Sequence, residues 1–239
     1  LLFGSEMAAL TKHPRLSRRV GTAELAHNLT YDCLPENLSI YAGAEKLLPG
    51  TYLVYRRPTG RVERASFWRM RFDSNPQSSE LAGKSEAELQ LGLRTHLIDA
   101  VKKRLAADVP LGVLLSGGLD SSAIAAAMTK SRAPSEIQTF SIAFEDKSFD
   151  ESSHARLVAK HLGTQHHEER LSPEVMIDIL PQVARTQSEP LGDGSLIPTY
   201  LLSRFTRSHV KVALGGDGGD ELFLGYPTFQ ADAVARRLD

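Results

Sequence analysis

Seven consecutive residues, Ser116-Gly117-Gly118-Leu119-Asp120-Ser121-Ser122, carry the densest chemistry in this 239-residue chain. Two adjacent glycines let a ligand approach the main chain closely, and the hydroxyls of Ser116, Ser121 and Ser122 add donors. Asp120 is a hard oxygen ligand of the kind Mg²⁺ takes. The guest that suits this set is a polyphosphate with its metal. A Walker loop would add a lysine for the β and γ phosphates, and this stretch has none. A second stretch, Gly215-Gly216-Asp217-Gly218-Gly219-Asp220-Glu221, sets acids among glycines. Each glycine costs backbone entropy unless close approach is needed, and carboxylates so near one another call for a cation, which a Mg²⁺ shared with phosphates supplies. Plainer readings exist for both: a strand-to-helix turn using glycine and serine as caps, and a flexible acidic turn. The calcium-loop spacing D-x-[DN]-x-[DN]-G is not met.

The elements that must hold these stretches are legible in the apolar pattern. Val113-Leu114-Leu115 reads as a buried strand and residues 123–128 as an alanine-rich helix, so the first stretch lies at a helix N-terminus, where amides and the dipole favour an anion. Residues 210–214 form the apolar run before the acidic stretch. Strands at 112–115, 139–144, 166–168 and 210–214 alternate with helices at 119–130, 151–162, 173–185 and 196–207. That alternation predicts an α/β fold with a parallel sheet covered on both faces. Ligands of such sheets sit outside the carboxyl ends of the strands. There, Phe140-Ser141-Ile142 could offer backbone to a nucleobase, while Asp150 or Glu151 would cap the next helix. Upstream, Ser85 and Glu88 have capping-box spacing, and Leu89, Leu93, Leu97, Val101 and Leu105 mark the core face of one long helix.

The first seventy residues follow another pattern. Leu1-Leu2-Phe3 is strand-like, 6–10 and 22–29 suit helices, the second with Thr22 as N-cap, and 51–55 with 61–68 form a hairpin across Pro58-Thr59-Gly60. The stretch 73–84, rich in Ser, Asn, Pro, Gln and Gly, is the expected linker, dividing the chain into 1–72 and 85–239. The formal net charge of −1 gives no attraction to nucleic acid or to a membrane surface. One cysteine, Cys33, makes no internal disulfide and suits a reducing cytoplasm; it is expected as a small buried residue. His154, His166 and His167 show no metal-ligand spacing and read as helix-face and edge-strand polar residues. The chain starts at Leu1 without methionine, and a fragment truncated at both ends is expected.

The motif S-G-G-x-D-S-S resembles the pyrophosphate loop of the ATP pyrophosphatases, which cleave ATP between the α and β phosphates. Residues 104–122, Thr139-Phe140-Ser141-Ile142 with Phe149-Asp150-Glu151, Glu189-Pro190 with Asp193, Ser195 and Pro198-Thr199-Tyr200, and Asp217-Gly218-Gly219-Asp220-Glu221 together resemble the synthetase domain of glutamine-hydrolysing asparagine synthetases. Gly4-Ser5-Glu6-Met7 and Lys46-Leu47-Leu48-Pro49-Gly50 are similar to the tail of that family's N-terminal-nucleophile glutaminase domain. The resemblance implies an adenine nucleotide alpha-hydrolase-like domain after a β-rich glutaminase remnant. It implies that Ser116, Gly117, Gly118, Asp120, Ser121 and Ser122 hold pyrophosphate, and that backbone at Leu114, Ile142, Gly215 and Gly216 frames the adenosine. Asp120 and Asp220 would ligate Mg²⁺, and Asp217 would stand beside the reacting phosphate. The implied substrates are aspartate, ATP, and glutamine or ammonia, passing through an aspartyl-AMP, with a homodimer as the assembly. Gly215 and Gly194 stand where the family commonly has serine. The family's nucleophile is an amino-terminal cysteine, which the internal Cys33 cannot replace, and its assisting lysine is expected beyond Asp239. Such a fragment is expected to bind ATP–Mg²⁺ weakly without hydrolysing glutamine. A β-lactam synthetase-like enzyme with another carboxylate acceptor, or a nucleotide-binding module without turnover, would share the same loops.

Overall fold

A computed structural model of the chain describes residues 1–35, 37–70, 81–148 and 150–236. They form two compact units, one of Leu1–Ala82 with Leu180–Leu196 and one of Gly83–Ile179 with Ile197–Asp239. The segment 180–196, expected with the second domain, therefore clusters with the first; Glu189 is held there by the Lys46 ammonium and the Ile40 amide. Most of the expected linker, residues 73–80, lies outside the described residues.

In the first unit, α1 (Met7–Leu10) and α2 (Thr22–Tyr31) precede a hairpin of β1 (Thr51–Arg56) and β2 (Arg61–Ser66). The strands are antiparallel, with Thr51 opposite Ser66 and Arg56 opposite Arg61. Gly60, at φ +67, makes the tight return that the Pro-Thr-Gly sequence predicts. Three expectations are corrected here. Residues 1–3 lie in no strand, having no ladder partner among the described residues. The cap of α2 is Gly21, which is extended at φ −77 and ψ 134, so Thr22 is already inside the helix. Cys33 is exposed rather than buried, directly after Asp32 turns the chain out of α2 at φ 59.

The second unit opens with α3 (Glu86–Arg104), whose capping box is as predicted: the Glu88 amide donates to Ser85 Oγ and the Ser85 amide to the Glu88 carboxylate. There follow β3 (Leu111–Leu114), α4 (Leu119–Met128), β4 (Gln138–Phe144), α5 (Ser152–Leu162), β5 (Gln165–Leu171), α6 (Pro173–Thr186), α7 (Leu196–Arg207), β6 (Val212–Leu214), α8 (Gly219–Phe223) and α9 (Pro227–Ala235). The sheet runs β5-β4-β3-β6, and every pair is parallel.

Side-chain alternation divides the sheet into two faces. Leu111, Val113 and Leu115 pack with Val101, Leu105, Met128, Ile137, Ala155 and Ala159 into one core beneath α3, α4 and α5. On the opposite face the fully buried Phe140 stacks on His167 at 5.1 Å and meets Phe205 of α7 edge-on at 6.0 Å. Gly112 makes room for that ring: a Cβ there would stand 2.5 Å from Phe140 Cε2. The stripe on α3 is buried only in its second half. Val101 and Leu105 are in the core, whereas Leu89 and Leu93 are exposed, because the packing partners reach only the last turns. Among the described residues no helix is long and apolar enough to cross a membrane.

Candidate active site

From β3 the chain winds outward through β4 to β5, then returns to place β6 on the other side of β3. The loops after β3 and β6 thus leave the carboxyl ends of neighbouring parallel strands at the place where the strand order reverses, and the crevice there is where such sheets take ligands. A cavity of about 830 Å³ lies there. Its volume is within the range of small-molecule sites.

The loop after β3 is tied to itself. The amides of Ser116 and Gly118 donate to Ser121 Oγ and Ser116 Oγ, both at 3.2 Å, and the two hydroxyls stand 2.9 Å apart. Those bonds hold the loop open around the first turn of α4, whose N-cap is Gly118. Gly117 sits at φ +86, and a Cβ on it would come within 2.5 Å of the Ala155 amide nitrogen, so both its conformation and the approach of α5 require glycine.

The loop after β6 lies directly against this turn. A Cβ on Gly216 would stand 2.9 Å from the Ser121 nitrogen and 3.0 Å from Asp120 Cβ, and one on Gly219 would fall onto the Asp120 carboxylate. The glycines of the acidic stretch therefore admit Asp120 rather than loosen the chain. Gly218, at φ +90, turns the backbone into α8.

Of the residues singled out from sequence, Leu114, Ser116, Gly118, Asp120, Ser121, Ile142, Gly215, Gly216, Asp217 and Asp220 all line the cavity. Gly117 and Ser122 do not; the Ser122 hydroxyl is buried without a hydrogen-bond partner. Asp150 performs the capping expected of it. Its carboxylate accepts from the Phe144 and Ser152 amides and the Ser152 hydroxyl, and those bonds, that hydroxyl foremost, hold it below the usual aspartate range. Glu151 makes no cap and lines the cavity instead. Pro198 and Thr199 of α7, from the segment that resembles the family's substrate side, line the same wall, as do Leu202, Phe223, Gly225 and Tyr226, which no motif included. Nothing in its type separated Glu151 from its capping neighbour.

Among the described residues, no three His, Cys, Asp or Glu side chains converge as a ready metal cage. Asp120 and Asp220 border the cavity from facing loops. That is the donor set of a Mg²⁺ bound through one or two carboxylates and completed by phosphate oxygens and water, and the residues fit such an ion. His166 is engaged otherwise, with Nδ1 3.0 Å from Thr139 Oγ1 and Nε2 3.2 Å from Ser141 Oγ.

A parallel sheet that brings a glycine–serine loop and an acidic glycine loop together at its carboxyl ends defines an α/β domain with one ligand crevice. Residues 92–239 match the asparagine synthase family, and the chain belongs to that family. It is 32% identical over 229 residues to a putative glutamine-hydrolyzing asparagine synthetase 2 of Methanocaldococcus jannaschii, covering 95% of this chain and 43% of that protein. It is 33% identical over 206 residues to the glutamine-hydrolyzing asparagine synthetase 1 of Bacillus subtilis, covering 86% of this chain and 31% of the relative. The amidase chyE of Penicillium rubens is 32% identical over 214 residues, covering 84% of this chain and 31% of its own length. The chain thus spans between 31% and 43% of the length of these relatives.

Proposed function

We propose that the second unit binds ATP with Mg²⁺ at the switch point and activates the β-carboxylate of aspartate for amide formation, with ammonia drawn from glutamine, in a reducing cytoplasm. The observation that carries this reading is the packing of Asp120 against Gly216 and Gly219, which makes one site of two loops. Ser116, Gly118 and Ser121, through the two serine hydroxyls and the loop that their bonds shape, with the first turn of α4 that includes Ser122, hold the phosphates that leave as pyrophosphate. Gly117 shapes that loop. Leu114, Ile142, Gly215 and Gly216 frame the adenosine, and Asp217 stands beside the α-phosphate. Asp120 and Asp220 would hold Mg²⁺, which would neutralise charge on the phosphates.

The carboxylate oxygen of aspartate attacks the α-phosphorus, the bond to the bridging oxygen of the β-phosphate breaks, and pyrophosphate departs with that oxygen. Ammonia then adds to the activated acyl carbon, loses a proton, and AMP leaves with the oxygen that aspartate supplied. The chain's contribution is positioning and charge stabilisation around in-line transfer. The first unit, with its hairpin, is the remnant of a glutaminase-type domain; the similarity of Lys46-Leu47-Leu48-Pro49-Gly50 to that domain's tail supports this.

Calorimetric titration of the 239-residue chain with ATP, with and without Mg²⁺, tests the site. Aspartate-dependent pyrophosphate release tests the reaction, and release that ignores aspartate would sink it. The equal similarity to a fungal amidase supports a second reading, the same activation with another carboxylate acceptor. Release driven by a different carboxylic acid would select that one.

A further inference from the structure

The glycine–serine loop rests on a neighbour that its motif does not include, the first turn of α5. A Cβ on Gly117 would stand 2.5 Å from both the Ala155 nitrogen and the His154 carbonyl carbon, and 2.6 Å from His154 Cβ. Backbone of that turn therefore closes one side of the loop, and a shift of the turn would take away the surface on which the loop packs.

A run of polar bonds, all inside the second unit, holds the turn in place. The Phe144 amide, at the end of β4, donates to Asp150 Oδ1 at 3.2 Å, and the Ser152 hydroxyl donates to Asp150 Oδ2 at 2.9 Å. Ser152 Oγ in turn accepts from Arg156 Nη1 at 3.1 Å, and the same nitrogen donates to Glu168 Oε2 of β5 at 2.6 Å. Ser152 is 1% exposed, so water does not readily replace a partner that its hydroxyl loses. The side chains of Arg156 and Glu168 are 51% and 25% exposed, and a pair so placed contributes little by charge alone. What the arginine adds is a link from β5, through a buried hydroxyl, to the start of α5. We infer that Arg156, held by Glu168, is a positioning residue for the glycine–serine loop. It ties the first turn of α5 to the sheet, and that turn supports Gly117 while Phe144, Glu151 and Ser152 line the cavity. Neither Arg156 nor Glu168 lines the cavity, so both act through the turn. The inference rests on the nucleotide reading of the cavity only for its effect on binding.

The test uses Arg156→Met and Glu168→Gln, each alone and together, in the 239-residue chain. Without nucleotide, hydrogen exchange is expected to quicken about fivefold at the amides of His154 and Ala155, which donate to the Glu151 carbonyl, and at that of Ser116, which donates to Ser121 Oγ, while β3 keeps its protection. ATP–Mg²⁺ affinity is expected to fall by a similar factor in Arg156→Met, with the double variant no worse. Arg156→Lys is expected to stay within about twofold of wild type, since both bonds leave one nitrogen and an ammonium carries three donors. Lys160→Met, at an exposed position one turn further along α5, controls for the lost charge and is expected to bind as wild type. Wild-type exchange at Ser116 in Arg156→Met, effects of the two substitutions that simply add, or an equal loss of affinity in Lys160→Met overturns the inference. Quickened exchange at Ser116 with no nucleotide binding by the wild type upholds the support and overturns the nucleotide reading instead.

Discussion

Gly216→Ala is the sharpest probe of how the two loops share one site. The new Cβ would stand 2.9 Å from the Ser121 nitrogen, 3.0 Å from Asp120 Cβ and 3.1 Å from the Asp120 carbonyl carbon. Ordinary contacts of this kind are about half an ångström longer. None of the three atoms is the tip of a flexible side chain; they belong to the first turn of α4, which the core behind it holds. Either that turn or the β6 loop must give way, and forcing an extra methyl into such packing costs about 1–3 kcal/mol. If the strain falls on the ligand-ready arrangement, ATP–Mg²⁺ affinity drops about fivefold to 150-fold. The neighbouring glycine is the control. A Cβ on Gly215 meets first the Asp217 carboxylate, the far end of a side chain that can swing away, so Gly215→Ser is expected to bind nucleotide within about twofold of wild type. Titration calorimetry on both variants, with thermal unfolding to confirm that each is folded, decides the matter. Wild-type affinity in Gly216→Ala beside a loss in Gly215→Ser would refute the argument that loop apposition builds the site.

Asp120→Asn keeps the shape of the side chain but weakens its hold on a cation, and ATP affinity measured with and without Mg²⁺ is expected to converge; a retained Mg²⁺ effect removes Asp120 from the metal site. Phe140→Ala removes a fully buried ring in contact with His167 and Phe205 and is expected to cost about 3–5 kcal/mol in urea unfolding. Burial lowers both His166 and His167 from 6.5, with the nearby His209 acting the same way on His167 and the Glu168 carboxylate partly opposing it at His166. Since their folded pKa values lie below the unfolded one, protonation favours the unfolded chain. The stability they allow is present above 6.5 and is lost as pH falls from there through the folded values, so the urea midpoint is expected to be lower near about pH 5.5 than near about pH 7.5. An unchanged midpoint counts against it.

What could be read from residues alone followed the range of the forces involved. Local signals held: the Ser85 and Glu88 box, the Gly60 turn, the β3-loop-α4 order and the cap at Asp150 all depend on groups a few residues apart. Signals that depend on distant partners were legible only in kind. The glycines after β6 announced a close approach, but the object of it, Asp120, lies about a hundred positions upstream and enters only because the sheet order sets β6 beside β3. The stripe on α3 was correct in period, yet how many of its leucines found a partner depended on where the sheet and α4 ended. Glu189 shows the limit most clearly. Its place in a motif suggested substrate, whereas its carboxylate is committed to an amide 149 positions away and to Lys46. A carboxylate has about four lone-pair sites, and on Glu189 an amide, a hydroxyl and an ammonium take three of them, which makes it first an anchor. In the cavity the opposite holds for Asp120, whose neighbours across the loop are glycines that stand close without claiming its oxygens. The difference between an anchoring acid and an acid available to a cation is therefore made by what stands opposite each, and on that ground Asp120 and Asp220, not Glu189, are the carboxylates to test for metal.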